Sequence, residues 1–293
     1  MSPKKRLKIL MADDSSQHAQ SAVELIRDLS LLPKSRIMVL RVFTPGQIDA
    51  LPNLQISLDA TRSRLLRTGL MVESELLLGS PAEKIIEIAE ERKSDLIVLG
   101  AKGLRATLGI LLGGVAQQVV EYSPCPTLVV RAPYLGLHRV LLVVDGSLTS
   151  QRAARYFVKF PLPDNVDVRV MHVLPPAQQP IGMEPHLDGW RYQQILDKAD
   201  AVIMERQEKK GKALLERTRK LLLHKGIDAT PVLSRGDAAT EIIDYAKANK
   251  IDLIVAGSRG LSQFKGWWMG SVSRKLVHYS NCSALIVKGL RKE

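Results

Sequence analysis

A glycine motif near the end of the chain has the composition of a phosphate-binding loop. Gly257–Gly260 reads Gly-Ser-Arg-Gly, nine residues follow, and Gly270–Ser273 reads Gly-Ser-Val-Ser. Glycine allows close backbone approach and positive φ, so amide N–H groups can converge on phosphate oxygens. The second part also opens a predicted helix, whose first amides and dipole favour an anion. The pattern therefore predicts phosphate binding, whereas a lone Gly-x-x-Gly would indicate only a turn.

The same motif occurs 157 residues earlier. Gly100–Gly103 reads Gly-Ala-Lys-Gly and, after nine residues, Gly113–Val115 reads Gly-Gly-Val. Cys125 and Cys282 are related by the same spacing, and both are expected to be small apolar residues at the start of a strand. Repetition in one register indicates an internal duplication.

Residues nearer the start of each copy repeat at a different spacing. Asp14 matches Asp145, and Val42 matches Val173, both at a shift of 131. One insertion of 157 − 131 = 26 residues in the second copy reconciles the two registers. Two domains are therefore predicted, at residues 1–134 and 139–293.

Other nucleotide and catalytic motifs are missing from the sequence. It contains no Gly-x-x-x-x-Gly-Lys-Ser/Thr, and Asp-Asp-Ser or Asp-Gly-Ser follows the first predicted strand of each copy instead of Gly-x-Gly-x-x-Gly. No nucleophile and base are paired, and His172 is expected to pack beside the sheet. Ser16 and Ser147 are predicted to cap helices.

Charge and composition limit the classes of partner. The net charge is +12, but the basic residues are spread along the chain and aromatics are only 4%, too few for a base-stacking platform. Specific nucleic-acid binding is therefore not expected. No apolar run approaches the ~20 residues of a membrane span, and no signal peptide is recognisable, so a cytoplasmic location is expected.

Apolar runs alternate with helical patterns, which predicts an α/β fold of two tandem, doubly wound, five-stranded parallel-sheet domains. The insertion adds a Pro-rich stretch and a longer cover helix, with a solvated middle expected around Gly211. The predicted strands are Leu7–Ala12, Arg36–Val42, Leu70–Leu78, Asp95–Gly100, Thr127–Arg131, Arg139–Val144, Asp167–Val173, Ala229–Leu233, Asp252–Ala256 and Ala284–Lys288.

These features resemble the universal stress protein family, specifically its tandem two-domain, ATP-binding members. The features that carry the resemblance are the Asp ending strand one, the Val ending strand two and the Gly-x2-Gly-x9-Gly-Ser/Thr motif after strand four. The resemblance implies a Rossmann-like fold of the adenine nucleotide alpha hydrolase type. It also implies that the Asp contacts the ribose and adenine side, that the Val backbone reads adenine, and that the glycines wrap the phosphates, usually with a divalent ion such as Mg²⁺.

The resemblance assigns a site to each repeat. Repeat one departs from the motif at Gly114, which removes a hydroxyl contact but keeps the backbone amide, so repeat two is expected to bind ATP more tightly. The second site comprises Asp145, Val173, Gly257, Arg259, Gly260, Gly270, Ser271, Val272 and Ser273. The first site comprises Asp14, Val42, Gly100, Lys102, Gly103, Gly113, Gly114 and Val115.

The function expected from these residues is that of an ATP-binding stress-response regulator with at most slow ATP hydrolysis. The alternative is a protein-interaction module whose nucleotide sites are vestigial. A regulatory protein partner and a homodimer are compatible with either function.

The last strand of each repeat is expected to lie at a sheet edge. The apolar edges Leu128–Val130 and Leu285–Val287 invite pairing, and family members that this chain resembles pair their domains in this way. A pseudo-two-fold pairing of last strand with last strand is therefore predicted within one molecule. The alternative is that loops or helices cover both edges.

Overall fold

A computed structural model describes residues 6–103, 112–177, 189–260 and 269–288; for residues 189–199 it describes the backbone only. Most of the nine-residue spacer in each glycine motif, and part of the Pro-rich insertion with Pro180 and Pro185, lie outside these ranges.

Repeat one folds close to the predicted element boundaries. A 3₁₀ turn at Pro45–Ala50, which the sequence did not predict, precedes its second helix. Its strands are β1 (Lys8–Ala12), β2 (Arg36–Phe43), β3 (Met71–Leu78), β4 (Leu96–Gly100) and β5 (Thr127–Val130), and its helices are α1 (Gln17–Asp28), α2 (Leu51–Leu66), α3 (Pro81–Glu91) and α4 (Gly114–Tyr122).

Repeat two follows the same order. Its strands are β6 (Arg139–Val143), β7 (Asp167–Leu174), β8 (Ala229–Arg235), β9 (Leu253–Gly257) and β10 (Ser283–Val287), and its helices are α5 (Leu148–Phe157), α6 (Gly189–Leu223), α7 (Ala238–Ala248) and α8 (Ser271–Tyr279).

All ten strands form one sheet, in the order β3-β2-β1-β4-β5-β10-β9-β6-β7-β8. Helices α1, α2, α5 and α6 contribute to the apolar core on one face, and α3, α4, α7 and α8 to the core on the other. Successive side chains of a strand enter opposite cores, as Ile9 and Leu10 do, because the side-chain period of a strand is two. The predicted doubly wound α/β fold is confirmed.

The two repeats meet through their last strands, as predicted. β5 and β10 pair antiparallel, whereas every other neighbouring pair in the sheet is parallel. Leu128 lies opposite Leu285, and because 285 − 128 = 157 these are equivalent residues of the two repeats. The pairing is therefore pseudo-two-fold. Both leucines are fully buried, so the apolar edges are covered by each other.

Helix α6 differs from the prediction at its middle. Its residues 208–210 and 212–213 are exposed, but Gly211 is buried against β7 and β8. A Cβ on Gly211 would lie 3.0 Å from both Leu174 Cδ2 and Leu233 Cδ1 and 3.1 Å from His172 Cδ2. The glycine therefore lets the helix backbone approach the sheet closely. The sequence did not predict this contact, because the residues around Gly211 are charged.

A cation from each repeat caps a helix of the other. Arg131, just after β5, donates from Nη2 to the carbonyls of Val277 (2.8 Å) and His278 (3.0 Å) at the end of α8. Lys288, the equivalent residue after β10, donates to the carbonyls of Glu121 and Ser123 at the end of α4. Carbonyls at a helix C-terminus lack intrahelical partners and carry partial negative charge, so both contacts stabilise the joint.

Replacing Arg131 should weaken this joint. We expect Arg131→Met to lower the free energy of unfolding by about 1–3 kcal/mol, because the carbonyls of Val277 and His278 lose their donor. Lys212→Met, which removes an exposed cation paired within α6, is the control and should change stability by less than about 0.5 kcal/mol. Chemical denaturation at pH 7 measures both. Equal losses in the two variants would contradict the capping role.

Lys288 predicts a pH dependence. Burial lowers the pKa of its ammonium from 10.5 to about 8, an effect that Cys125 and Glu121 only partly offset. Between pH 8 and 10.5 the unfolded chain keeps a proton that the folded chain loses, so stability should rise with pH in this window and the contribution should be lost as pH falls through 8. Denaturant titrations of the parent and Lys288→Met should therefore diverge in the parent's favour above pH 8. A constant difference would contradict this assignment.

Candidate functional site

A cavity of about 490 Å³ lies in repeat one, where β1, β2 and β4 end. This volume is typical of small-molecule sites, and the carboxyl ends of parallel strands are where doubly wound domains bind ligands. Its lining residues are Ala12, Asp13, Asp14, Leu40, Arg41, Val42, Thr44, Gln47, Leu54, Pro81, Ile85, Leu99, Gly100, Ala101, Lys102, Gly103, Gly113, Gly114, Val115 and Ala116.

All eight residues that the sequence assigned to repeat one line this cavity. They come from the ends of β1, β2 and β4 and from the start of α4, segments that are distant in sequence. The fold therefore brings the predicted set together. The sequence analysis missed the opposite end of the cavity, where Arg41, Thr44, Gln47 and Leu54 lie. Arg41 was the available signal, because it is a cation near the end of β2 between the apolar residues Leu40 and Val42.

The glycine end of the cavity faces the start of α4. Gly113 is the N-cap residue of this helix, and no side chain caps it. Gly114 follows as the first helical residue, and a Cβ built on it meets nothing within 4 Å. Uncapped first-turn amides beside open space are suited to an anion.

Two other glycines of the motif have a packing reason of their own. A Cβ on Gly100 would lie 2.7 Å from His18 Cβ, and one on Gly257 would lie 2.8 Å from the Thr149 carbonyl carbon. Strands β4 and β9 therefore need glycine to let α1 and α5 begin close by. Gly100 lines the cavity as well, so helix packing and the site share this position.

The predicted aspartates point into turns that precede α1 and α5. Asp14 Oδ1 accepts from the Ser16 amide at 3.0 Å, and Asp145 Oδ1 accepts from the Ser147 amide at 2.9 Å. Ser16 and Ser147 themselves accept from the first turn of each helix, which confirms their predicted capping role. The serines therefore cap α1 and α5, and the aspartates hold the turns that lead into these helices.

The aspartates also sit against the glycine loops. A Cβ on Gly103 would lie 2.6 Å from Asp14 Oδ2, and one on Gly260 would lie 2.9 Å from Asp145 Oδ2. In each repeat, the second glycine of the motif thus makes room for a carboxylate at the strand-one end.

Hydroxyl groups hold the loop after each fourth strand. Ser16 Oγ donates to the Lys102 carbonyl at 3.1 Å, and Thr149 Oγ1 donates to the Arg259 carbonyl. The backbones at Lys102 and Arg259 are therefore fixed beside the aspartates. Lys102 also lines the cavity, which places a cation at its glycine end.

His18 lies between this loop and the linker that follows β5. Its Nδ1 accepts from the Ala132 amide at 2.9 Å, which requires that nitrogen to be unprotonated. Burial lowers the pKa of the ring, which agrees with the hydrogen bond. A neutral His18 thus joins the site to the linker.

The predicted residues of repeat two occupy equivalent places. Asp145, Val173 and Gly257 lie at or just after the ends of β6, β7 and β9, and Gly270 is the uncapped N-cap residue of α8. The remaining members are Arg259 and Gly260 in the loop after β9 and Ser271, Val272 and Ser273 in the first turn of α8.

Ser273 has a different environment from Ser271. Ser271 is exposed at the first position of α8, whereas Ser273 is buried and donates to the Gly257 carbonyl at 2.7 Å. That bond commits the Ser273 proton to the backbone, so its role is to hold β9 against α8. Of the two, Ser271 has the hydroxyl that can face an anion.

The described residues show neither a metal-binding cluster nor a membrane-spanning helix. They contain no group of three or more His, Cys, Asp or Glu side chains that could hold a metal ion. Within the same ranges, no helix combines the length and apolar character that crossing a bilayer requires. Cys125 and Cys282 form no disulfide. His172 packs beside the sheet with Nδ1 2.8 Å from the Val144 carbonyl oxygen.

Comparison with known proteins agrees with this architecture. A universal stress protein, YxiE of Bacillus subtilis, is 30% identical over 153 residues, which are 52% of this chain and 99% of the relative. One from Mycolicibacterium smegmatis is 26% identical over 234 residues, 75% of this chain and 70% of the relative. The crystal structure of one from Archaeoglobus fulgidus covers 99% of this chain and 98% of its own, with a TM-score of 0.69 at 19% identity, which shows the shared fold.

The family assignment applies to both repeats. The sequence profile of the universal stress protein family matches residues 5–131 and again residues 136–288. The chain therefore belongs to the universal stress protein family and carries that family's domain twice.

Proposed function

We propose that this protein binds ATP and acts in the cytoplasm as a nucleotide-dependent regulator of a stress response. The observation that carries the proposal is the repeat-one cavity, which is lined by all eight residues that the sequence assigned to a nucleotide. A regulatory partner would recognise the nucleotide-bound form of the protein.

The two ends of the cavity suit the two ends of ATP. Lys102, Gly113 and Gly114 supply a cation and helix amides for the phosphates. Leu40 and Leu54, at the other end, supply apolar surface for the base. Asp14 lies between them, where a ribose hydroxyl could donate to its carboxylate.

A Mg²⁺ ion fits this arrangement only if the phosphates of the nucleotide supply some of its ligands. Asp13 and Asp14 are the carboxylates that line the cavity, and Asp13 is engaged by Arg41. Mg²⁺ commonly binds through one carboxylate together with substrate phosphates and waters. When bound, it would neutralise phosphate charge, with Asp14 as the protein's contribution.

Rapid hydrolysis is not expected from these residues. Among the described residues that line the cavity there is no His or Cys, and the two carboxylates, Asp13 and Asp14, already accept hydrogen bonds from the chain. Nothing among these lining groups is set to activate a water. A regulator that holds ATP and turns it over slowly is the function that they support best.

The deciding experiment is nucleotide extraction from protein purified without added ligand, followed by titration calorimetry with ATP. We expect bound adenine nucleotide, or binding on titration, and turnover far below the ~10 s⁻¹ of a typical enzyme. An interaction module with vestigial sites would give neither extraction nor heat. Turnover above ~1 s⁻¹ that disappears on changing one side chain would contradict the regulator role.

Gly114 offers a gain-of-function test of the phosphate end. Gly114→Ser introduces the hydroxyl that Ser271 has in repeat two, and the open space around Gly114 can accept it. We expect repeat one to bind ATP roughly 2- to 12-fold more tightly, the equivalent of one hydrogen bond. Calorimetry measures the change. Ser271→Gly is the matched control, because it should weaken repeat two by a similar factor; unchanged affinities in both variants would contradict the phosphate assignment.

A further inference from the structure

The end of the repeat-one cavity away from the glycines is built around a buried guanidinium. Arg41 is 3% exposed, and all five of its N–H groups have acceptors within the chain. Nε donates to the Asp13 carbonyl, Nη1 to the Leu54 carbonyl and Ser57 Oγ, and Nη2 to the Asp13 carboxylate and Ser15 Oγ. Because Arg41 has no donor left for a ligand, any role it has in binding must be exerted through these partners.

These contacts join two walls of the cavity. Asp13 follows β1 and is 5% exposed, and its carboxylate also accepts from Thr61 of α2 at 3.0 Å and from the Ser15 amide at 2.9 Å. Leu54 belongs to the first turn of α2 and lines the cavity. Arg41 thus ties the start of α2 to the loop that carries Asp14.

Repeat two shows that the fold does not require this network. The equivalents of Asp13, Ser15, Arg41 and Ser57 are Val144, Gly146, His172 and Leu214. The register across the helices is secure, because Oγ1 of Thr61 and Oγ1 of its equivalent Thr218 lie 3.2 and 2.9 Å from the carbonyl oxygen four residues earlier. Val144 and Leu214 are buried and apolar, and His172 is hydrogen-bonded to the Val144 carbonyl. The same sheet and cover helix therefore form without an ion pair.

The difference between the repeats lies at the cavity wall. Leu54 of repeat one is replaced by Gly211, where the α6 backbone closes directly onto His172, Leu174 and Leu233. A buried ion pair is weak evidence for stability, since its desolvation can exceed its attraction. Its presence only where Leu54 lines a cavity indicates a role in shaping that wall.

We propose that Arg41 and Asp13 are positioning residues that hold the base-side wall of the repeat-one site in its binding geometry. This inference rests on the proposed nucleotide function. It makes the two sites differ at opposite ends: repeat one has the ordered wall for the adenosine part, whereas repeat two has the additional hydroxyl of Ser271 for the phosphates.

The test transplants the repeat-two pair into repeat one. Asp13→Val with Arg41→His leaves no unpaired buried charge and reproduces a contact that the chain already makes at His172. An azido-ATP photolabel, titrated and mapped by peptide, reports the affinity of each repeat separately. Displacement of the label by inorganic tripolyphosphate reports the phosphate end alone. We expect labelling of repeat one to be at least tenfold weaker, because the variant would adopt the binding geometry of the wall only about a tenth of the time. The affinity for tripolyphosphate and the labelling of repeat two should not change.

A milder variant tests the same role in case the double variant fails to fold. Ser57→Ala removes one tie from Arg41 without disturbing a charge, and it should weaken labelling of repeat one by a smaller factor while tripolyphosphate affinity stays constant. Equal weakening of both ligands in both variants, or no weakening in either, would overturn the positioning role. Absence of labelling in the parent protein would instead refute nucleotide binding itself, so the two failures are distinguishable.

Discussion

The antiparallel pairing of β5 with β10 is the constraint on which the rest of the molecule depends. Each repeat alone would end in an apolar edge strand, and pairing satisfies the backbone groups of both edges at once. Because every other pair is parallel, the strands of the two repeats run in opposite directions across this joint. The carboxyl ends of the strands, and with them the two candidate sites, therefore face opposite edges of the sheet. All the described residues that line the repeat-one cavity accordingly come from repeat one.

Helices α4 and α8 nevertheless connect each site to the opposite repeat. Each has nine residues, a length of about 14 Å, and begins at the last glycines of the motif. Each ends against a cation from the other repeat, Lys288 for α4 and Arg131 for α8. An anion at the start and a cation at the end both favour the same helix dipole. An anion bound at the site and the hydrogen bonds at the joint would therefore act on the same helix, α4 or α8. This shared helix is a physical route by which each site could communicate with the opposite repeat.

The sequence was sufficient for features that local chemistry determines, and insufficient for those that depend on approach between distant segments. Alternation of apolar runs placed every strand within one or two residues, and the duplicated register identified the residues that meet at the glycine end of the cavity. Gly100 could not be assigned to helix packing from the sequence, because that reason is its distance to His18 on α1. Arg41 could not be matched to Asp13 and Ser57, since their meeting depends on where α2 crosses the sheet. Gly211 was misread because its charged neighbours face solvent while its own Cα faces β7 and β8.

The turn after the strand-one aspartate has the same backbone conformation in both repeats but different side chains. Ser15 and its equivalent Gly146 both have positive φ, 63° and 83°, directly after the strand-one aspartate. Glycine adopts this conformation without a Cβ penalty, whereas serine pays on the order of 1 kcal/mol or more. In repeat one, Ser15 gains a hydrogen bond from Arg41 and its amide donates to Asp13, which offsets the strain. In repeat two neither partner exists, and the position is glycine. The turn is therefore common to both repeats, whereas the serine is specific to the network around Arg41, whose hydrogen bonds offset the strain at Ser15.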